Sequence, residues 1–490
     1  MVFRLITIYP KPQIKRKNNM KKILIIFILF QLFHKNIAQD TAQILSLESV
    51  LYMVRTYHPL ALQSANLTDQ ANANLLIAQG QFDPKIAYEN TNKFYKGINY
   101  YNLSNLNLLV PTRLGADFYI GTQTANGQYV NPDEITPPGG LSGLGLNIPL
   151  LRNLITDQRR NQLRKAKILQ GQNESTRKQQ LNDLCAEVIK DYIDWYISWK
   201  ETKLYRNALI LTTRRLEAIR QEVSAGGKAR IDTLETWTQL QNFNISLQES
   251  EAKQIKYKLN LSVHLWSANG QPLEPAETAT PGQSGWDQLD SLGVAYGKNL
   301  ATLISVETNP SLQNSKFEID IAKLDLNWKR QALLPDLDIK YRMLGNNAFY
   351  KGFNYSPDNY QFGLKFGTSL FLRKERGDYK MAKLKAQNAE YKYEFKQREL
   401  ENKNLALWQQ RYRNSQIWRN YTAVVEGYSA LYNAELQRAE AGESNIFLVN
   451  TRELRLIESR LKHIQYERKM IESNIDFLQN AAVLFPFIEQ

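Results

Sequence analysis

The 490-residue chain carries 62 lysines and arginines against 48 aspartates and glutamates, one cysteine, four histidines and 11 % aromatic residues, at a mean hydropathy of −0.47. This composition excludes a disulfide-stapled domain and a bundle of membrane-spanning helices, while 43 % hydrophobic residues is enough for a packed core. The net charge of +14 does not point to nucleic acid, because eight of the basic residues and no acidic one fall within the first 38 positions.

That stretch, 1–38, reads as an export signal. From Met20, the expected start, Lys21 and Lys22 precede an apolar run from Ile23 to Phe33, and the small residue Ala38 comes just before Gln39. A basic end, a short apolar stretch and a small residue at the cut fit secretion, and the run is too short to span a bilayer as a helix. The lone Cys185 is expected to be a buried, unpaired thiol.

An internal repeat organises the rest. His58-Pro59-Leu60 is answered by Asn309-Pro310-Ser311 and Pro84 by Pro335, both 251 residues further on. Phe94-Tyr95-Lys96-Gly97-Ile98-Asn99-Tyr100 returns as Phe349-Tyr350-Lys351-Gly352-Phe353-Asn354-Tyr355, and the turn at Gly226-Gly227 returns at Gly442. Each half reads as a helix, short strands, a very long helix, a glycine turn and a helix. Repeat 1 covers 39–264, with strands within about 84–150 and its turn at 225–230. Repeat 2 covers 297–490, with strands within about 335–373 and its turn at 441–445. The Pro- and Gly-rich segment 265–296 is the connection between them.

The strand signal is clearest late in the chain. Tyr360, Phe362, Leu364, Phe366 and Leu370 alternate with Gln361, Lys365 and Ser369, which predicts an extended strand over 360–372 with one oily and one polar face. Leu337, Ile339, Tyr341 and Met343 repeat the pattern, as do Leu144 and Ile148 in the first half. Two strands per half give about four per chain. Two further strand-like runs, Leu106 to Val110 and Ala116 to Gln123, have no counterpart in the second half; they either extend the strand hairpin or form an external lid.

The long helices are expected from about Arg152 to Ala225 and from about Lys374 to Ala441. At 1.5 Å per residue the first would be roughly 110 Å long, more than a globular core needs. Val188, Tyr192, Trp195 and Trp199, and likewise Leu454, Ile457, Leu461 and Ile464, have the spacing of coiled-coil seams.

One-sided strands of this length suit an outer membrane. Backbone groups in lipid must all be paired, and a membrane barrel usually needs eight strands or more, so a chain with about four has to share its barrel with other copies. Polar faces then line a lumen, and the helices continue it as a tube. Phe94, Tyr95, Tyr100, Tyr101, Phe349, Tyr350, Phe353 and Tyr355 are candidates for an aromatic girdle.

The ordered duplication, the helix-opening Pro59 and Pro310, the stretch Gly143 to Asn153 with Ile148-Pro149-Leu150-Leu151-Arg152-Asn153, and the turns entering Ile231-Asp232-Thr233-Leu234 and Ile446-Phe447-Leu448-Val449 carry a family likeness. From about Leu45 to Phe485 the chain resembles the TolC family of outer-membrane efflux proteins. The resemblance implies a mainly α fold with a membrane β-barrel portion: a homotrimer of long coiled-coil helices forming an α-barrel, with a shared twelve-stranded β-barrel. It further implies a place in the outer membrane of a Gram-negative-type bacterium. There the duct would reach through the periplasm to an adaptor (membrane fusion) protein and an inner-membrane pump of the resistance-nodulation-division or ABC type. Carried onto this sequence, Gly226, Gly227, Lys228, Asp232, Gly442, Glu443 and Asn445 would face the adaptor. Tyr360, Phe362, Leu364, Phe366 and Leu370 would face lipid, and Gln361, Lys365 and Ser369 the lumen. The gate residues and the cargo, from drugs to a secreted protein, are not legible.

No catalytic constellation emerges. Beyond the export signal only His58, His264 and His463 remain, far apart in sequence, with no paired metal-ligand motif, so neither an enzyme nor a cofactor or metal is expected. The competing reading is an exported periplasmic coiled-coil scaffold or envelope organiser, in which the strands would bury their oily faces within one chain.

Overall fold

The computed structural model describes residues 44–282, 286–297, 305–352 and 354–489. The expected export signal lies outside them. The chain divides into a small unit, 1–44 with 276–280, and a large one, 45–275 with 281–490, and everything below concerns the large unit.

Among the described residues its α-helices are α1 (Leu47–Tyr57), α2 (Pro59–Gly80), α3 (Gln158–Ser224), α4 (Arg230–Ser262), α5 (Trp286–Gly297), α6 (Pro310–Gln331), α7 (Arg373–Glu440) and α8 (Ile446–Asn480). The two halves match closely at their proline-led helices. Both α2 and α6 have 22 residues with proline at the first position, where its missing N–H is no loss. His58 caps one by accepting from the Leu60 amide at 3.2 Å, and Asn309 caps the other by accepting from the Ser311 amide at 3.0 Å.

The long helices α3 and α7 contain 67 and 68 residues, each about 100 Å at 1.5 Å per residue. Helix α7 begins and ends within one residue of the sequence expectation. Helix α3 starts six residues later than expected, because the chain first turns at Asn153, which has φ 68°, and Asp157 then caps the helix by accepting from the Arg160 amide at 2.8 Å. Both helices end in the same glycine stop, with Gly226 and Gly442 each at φ 78°. Gly227 N–H bonds Glu222 carbonyl and Glu443 N–H bonds Arg438 carbonyl, each at 2.8 Å, which satisfies the last carbonyls and reverses the chain.

The helices pack through narrow seams. Val188, Tyr192 and Trp195 are fully buried, Trp199 half-buried. On α8, Ile457 and Ile464 are buried, but Leu454 is exposed: the core seam there runs through Val449, Glu453, Leu456 and Ile457 instead. Ala208, Phe243 and Ile457 join α3, α4 and α8, and Ile219, Ile446 and Val449 join α3 to α8 near the glycine turns. Cys185 is buried and free, and burial pushes its thiol up to about 12.

Six strands form one antiparallel sheet in chain order: β1 (Lys85–Tyr95), β2 (Ile98–Pro111), β3 (Asp117–Asn126), β4 (Leu141–Pro149), β5 (Asp336–Gly345) and β6 (Tyr355–Gly367). The expectation of about four barrel strands is therefore corrected: among the described residues this sheet alone has six. The two runs expected either to extend the hairpin or to form a lid, 106–110 and 116–123, fall in β2 and, but for Ala116, in β3, strands with a neighbour on each side. The strand expected over 360–372 lies five residues earlier, at 355–367, so Ser369 and Leu370 fall in the connector to α7. That connector ends on Leu372 in the left-handed region, φ 46°, which breaks the extended run.

The near-identical peptides at 94 and 349 do different work. Lys96 and Gly97, both at positive φ, make the tight β1–β2 hairpin turn, whereas Phe349–Lys351 is a 3-10 turn within the longer β5–β6 loop. Of the proposed girdle aromatics, Phe353 and the side chain of Tyr350 lie outside the described residues.

Candidate functional site

The register sorts the sheet into two chemically distinct faces. Residues directly opposite one another point the same way. One row crosses all six strands as Ile86, Leu108, Ile120, Leu144, Met343 and Tyr360. The next row on that face continues through Val110, Phe118, Leu146, Tyr341 and Phe362, followed by Ile148, Ile339 and Leu364. These side chains have no core to enter: Ile86 is 75 % exposed, Phe362 57 % and Leu364 61 %.

The opposite face is polar. Lys85, Leu109, Tyr119, Gly145, Arg342 and Gln361 form one of its rows, with Asn107, Asn147, Lys340, Asp338 and Lys365 beside it. The Tyr119 ring occupies space left by glycines, since a Cβ at Gly121 would fall 2.3 Å from its hydroxyl. That hydroxyl donates to Asn107 Oδ1 at 2.5 Å, and the Arg342 guanidinium stacks over the ring at 4.0 Å. A Cβ at Gly145 would meet the Tyr341 carbonyl oxygen at 2.5 Å, so this crossing of β4 and β5 requires glycine.

Thus Tyr360, Phe362, Leu364 and Phe366 share the apolar face, and Gln361 and Lys365 the polar one, as the alternation requires. Leu370 and Ser369 belong to neither, being past the strand; Leu370 is 91 % exposed.

Where sheet meets helices, charges gather. A cavity of about 630 Å³ is lined by Asp117, Arg152, Arg159, Lys329, Asp336 and Asp378 among others. Arg152 pairs with Asp336 at 3.3 Å, Arg159 with Asp117 at 3.0 Å, and Lys329 with Asp378 at 2.8 Å. The Lys329 ammonium holds the Asp378 carboxyl below its usual range.

At the far end of the helices lie the two glycine turns. Gly226, Gly227, Gly442, Glu443 and Asn445 are exposed, Lys228 and Asp232 half-exposed. Part of their chemistry is spent locally: Lys228 pairs with Glu222 at 2.7 Å, and Asn445 caps α8 by accepting from the Leu448 amide at 2.9 Å. The other turn has no such side-chain cap, since Ala229 precedes α4. Exposed apolar residues stand beside both turns: Ile231 at 70 %, Leu234 at 61 % and Phe447 at 57 % exposure. Their signal was an apolar residue in the first turn immediately after a glycine stop.

Just above the turns a buried polar cluster ties four helices together. Arg215 on α3 forks onto Glu453 on α8 at 2.6 and 2.8 Å and reaches Asn450 and the Tyr432 hydroxyl of α7, while Gln239 of α4 donates to Glu453 at 2.9 Å. Burial works against the Arg215 charge, but the Glu453 bonds outweigh it and raise its pKa. Among the described residues no group of three or more His, Cys, Asp or Glu side chains could hold a metal ion, and no helix is long and apolar enough to cross a membrane.

Residues 305–479 match the family model described as "Outer membrane efflux protein". No curated protein matches the chain. Among solved structures, it is similar to a membrane protein from Pseudomonas aeruginosa at a TM-score of 0.65 and 14 % identity, covering 90 % of this chain and 93 % of that one. It is likewise similar to the MtrE outer membrane channel of Neisseria gonorrhoeae at 0.63 and 12 %, covering 89 % and 88 %. The CmeC outer membrane channel of Campylobacter jejuni gives 0.60 and 12 %, with 89 % and 85 % covered. The resemblance to TolC-like outer-membrane efflux proteins is therefore borne out, by the family model over much of the second half and by the fold over nine-tenths of the chain.

Proposed function

We propose that the chain is the exit duct of a tripartite efflux or type I secretion system: a passive, non-enzymatic conduit across the outer membrane and periplasm, built from three copies. The observation that carries this reading is the sheet with one face apolar across the three rows nearest the helices, one polar face and two unpaired edges, β1 and β6. An apolar face with no core against it is stable in lipid, and unpaired edges are not, so the sheet needs copies of itself to close.

In this reading Tyr360, Phe362, Leu364 and Phe366 face lipid and Gln361 and Lys365 face the lumen; Leu370 and Ser369 mark the periplasmic border. The glycine turns, with Lys228, Asp232 and Glu443 and the exposed Ile231, Leu234 and Phe447, dock on a periplasmic adaptor. An inner-membrane pump supplies the energy.

The test is thiol accessibility in a Cys185→Ser background, using a polar, membrane-impermeant maleimide on intact outer membranes. Gln361→Cys and Lys365→Cys are expected to label through the lumen, and Phe362→Cys and Leu364→Cys only after the membrane is dissolved and the protein denatured. Equal labelling at all four positions, in a chain recovered without detergent, would replace the duct by the periplasmic scaffold.

A further inference from the structure

The strand pair absent from the second half has a consequence for the pore. Strands β2 and β3 sit inside the sheet, in register with β1 on one side and β4 on the other. Their apolar residues Leu106, Leu108, Val110, Phe118 and Ile120 continue the same apolar rows as their neighbours, which a lid folded away from the barrel would not do.

The pair is also fastened below. Its turn, 112–116, is closed by the Thr112 hydroxyl donating to the Ala116 carbonyl at 2.5 Å. Asp117 then binds Arg159, and the Leu114 carbonyl lies 3.5 Å from the Arg160 guanidinium, both arginines being in the first turn of α3. Gly115, at φ 96°, leaves room for that guanidinium, which a Cβ would approach to 2.9 Å.

Four strands per chain run directly into helices: β1 from α2, β4 into α3, β5 from α6 and β6 into α7. Strands β2 and β3 join only each other. The sheet therefore has six strands above four helix junctions. An even number leaves β1 and β6 antiparallel, so the β6 edge of one copy meets the β1 edge of the next in the same alternating order.

Resting on the duct reading, we propose that the shared barrel has eighteen strands, closed by β6-to-β1 pairing between three copies, and is half as wide again as a twelve-stranded one. At a strand spacing of ~4.8 Å and a tilt of ~40°, eighteen strands give a backbone diameter of about 36 Å, where twelve give about 24 Å. The three 112–116 turns then lie at the junction of barrel and helices, each held to the start of α3.

Electron cryo-microscopy of the full chain, extracted from membranes and placed in lipid nanodiscs, tests this. The expected particle has threefold symmetry, eighteen strands in the lipid and residues 98–126 among them. A threefold particle with twelve strands and 98–126 outside the lipid overturns the proposal while leaving the duct intact. A particle without threefold symmetry or a lipid-embedded barrel overturns both.

Discussion

Arg215 and Glu453 face each other across α3 and α8 in a two-pronged ion pair, Nη1 to Oε2 at 2.6 Å and Nη2 to Oε1 at 2.8 Å, with side chains only 13 % and 4 % exposed. Such a pair is costly to break from one side. Glu453→Leu leaves a buried guanidinium without its carboxylate and is expected to destabilise by about 3–5 kcal/mol, whereas Arg215→Met with Glu453→Leu recovers most of the loss. Thermal unfolding of the detergent-solubilised protein measures both. A double variant as unstable as the single one would mean that the pair does more than satisfy its own charges.

The caps of the two proline-led helices set up a pH experiment. His58 is buried beside His264, with ring centroids 5.6 Å apart, and His264 in turn bonds Asp191 at 2.9 Å. Burial first, and His264 second, push the His58 imidazole from 6.5 down to about 4. Between those values the unfolded chain binds the proton and the folded chain does not, so stability rises with pH through this window and falls as pH drops from 6.5 towards 4. His58→Asn copies the cap that Asn309 already provides in the second half and cannot titrate. Its melting temperature is expected to fall less than that of the parent over the same window; parallel curves would exclude His58 as the source.

Gly145 is expected to be intolerant where Gly363 is not. A Cβ at Gly145 meets a backbone oxygen at 2.5 Å, while at Gly363 its nearest neighbour is the Lys340 Cβ at 3.8 Å, an ordinary contact. Gly145→Ala should therefore weaken the β4–β5 pairing and lower the temperature at which the assembled particle dissociates in detergent gels. Gly363→Ala should leave that temperature unchanged.

Adaptor docking at the tips is open to site-specific photo-crosslinking. Probes replacing Lys228, Asp232 or Glu443 are expected to capture a periplasmic protein in cells, and a probe replacing Glu251, half-exposed further up α4, is not. Capture at Glu251 alone would move the docking surface away from the turns.

Much of this architecture was legible because its signals are periodic or punctuating. Helix α7 and both glycine stops fell within a residue of expectation, since Gly226 and Gly442 are forced by a backbone conformation that other residues resist. The strand count was harder to read. In β1 only Ile86 and Tyr88 mark the apolar face before polar residues take over, and in β2 Leu103 and Leu109 lie on the polar side and blur the alternation. The near-identical peptides at 94 and 349 mark the repeat but not the turn, because turn chemistry depends on where the strands end and not on the peptide alone. Arg215 and Glu453 could not be paired from sequence: they are 238 positions apart, and several carboxylates near the turns were equally eligible.

The most direct measurement is the mass of the native particle extracted by detergent from the outer-membrane fraction, with the bound detergent subtracted. Three chains per particle is the expected result, since a six-stranded sheet with two open edges and an exposed apolar face cannot be stable alone in lipid. A water-soluble monomer that needs no detergent would contradict the duct and leave the periplasmic scaffold in its place.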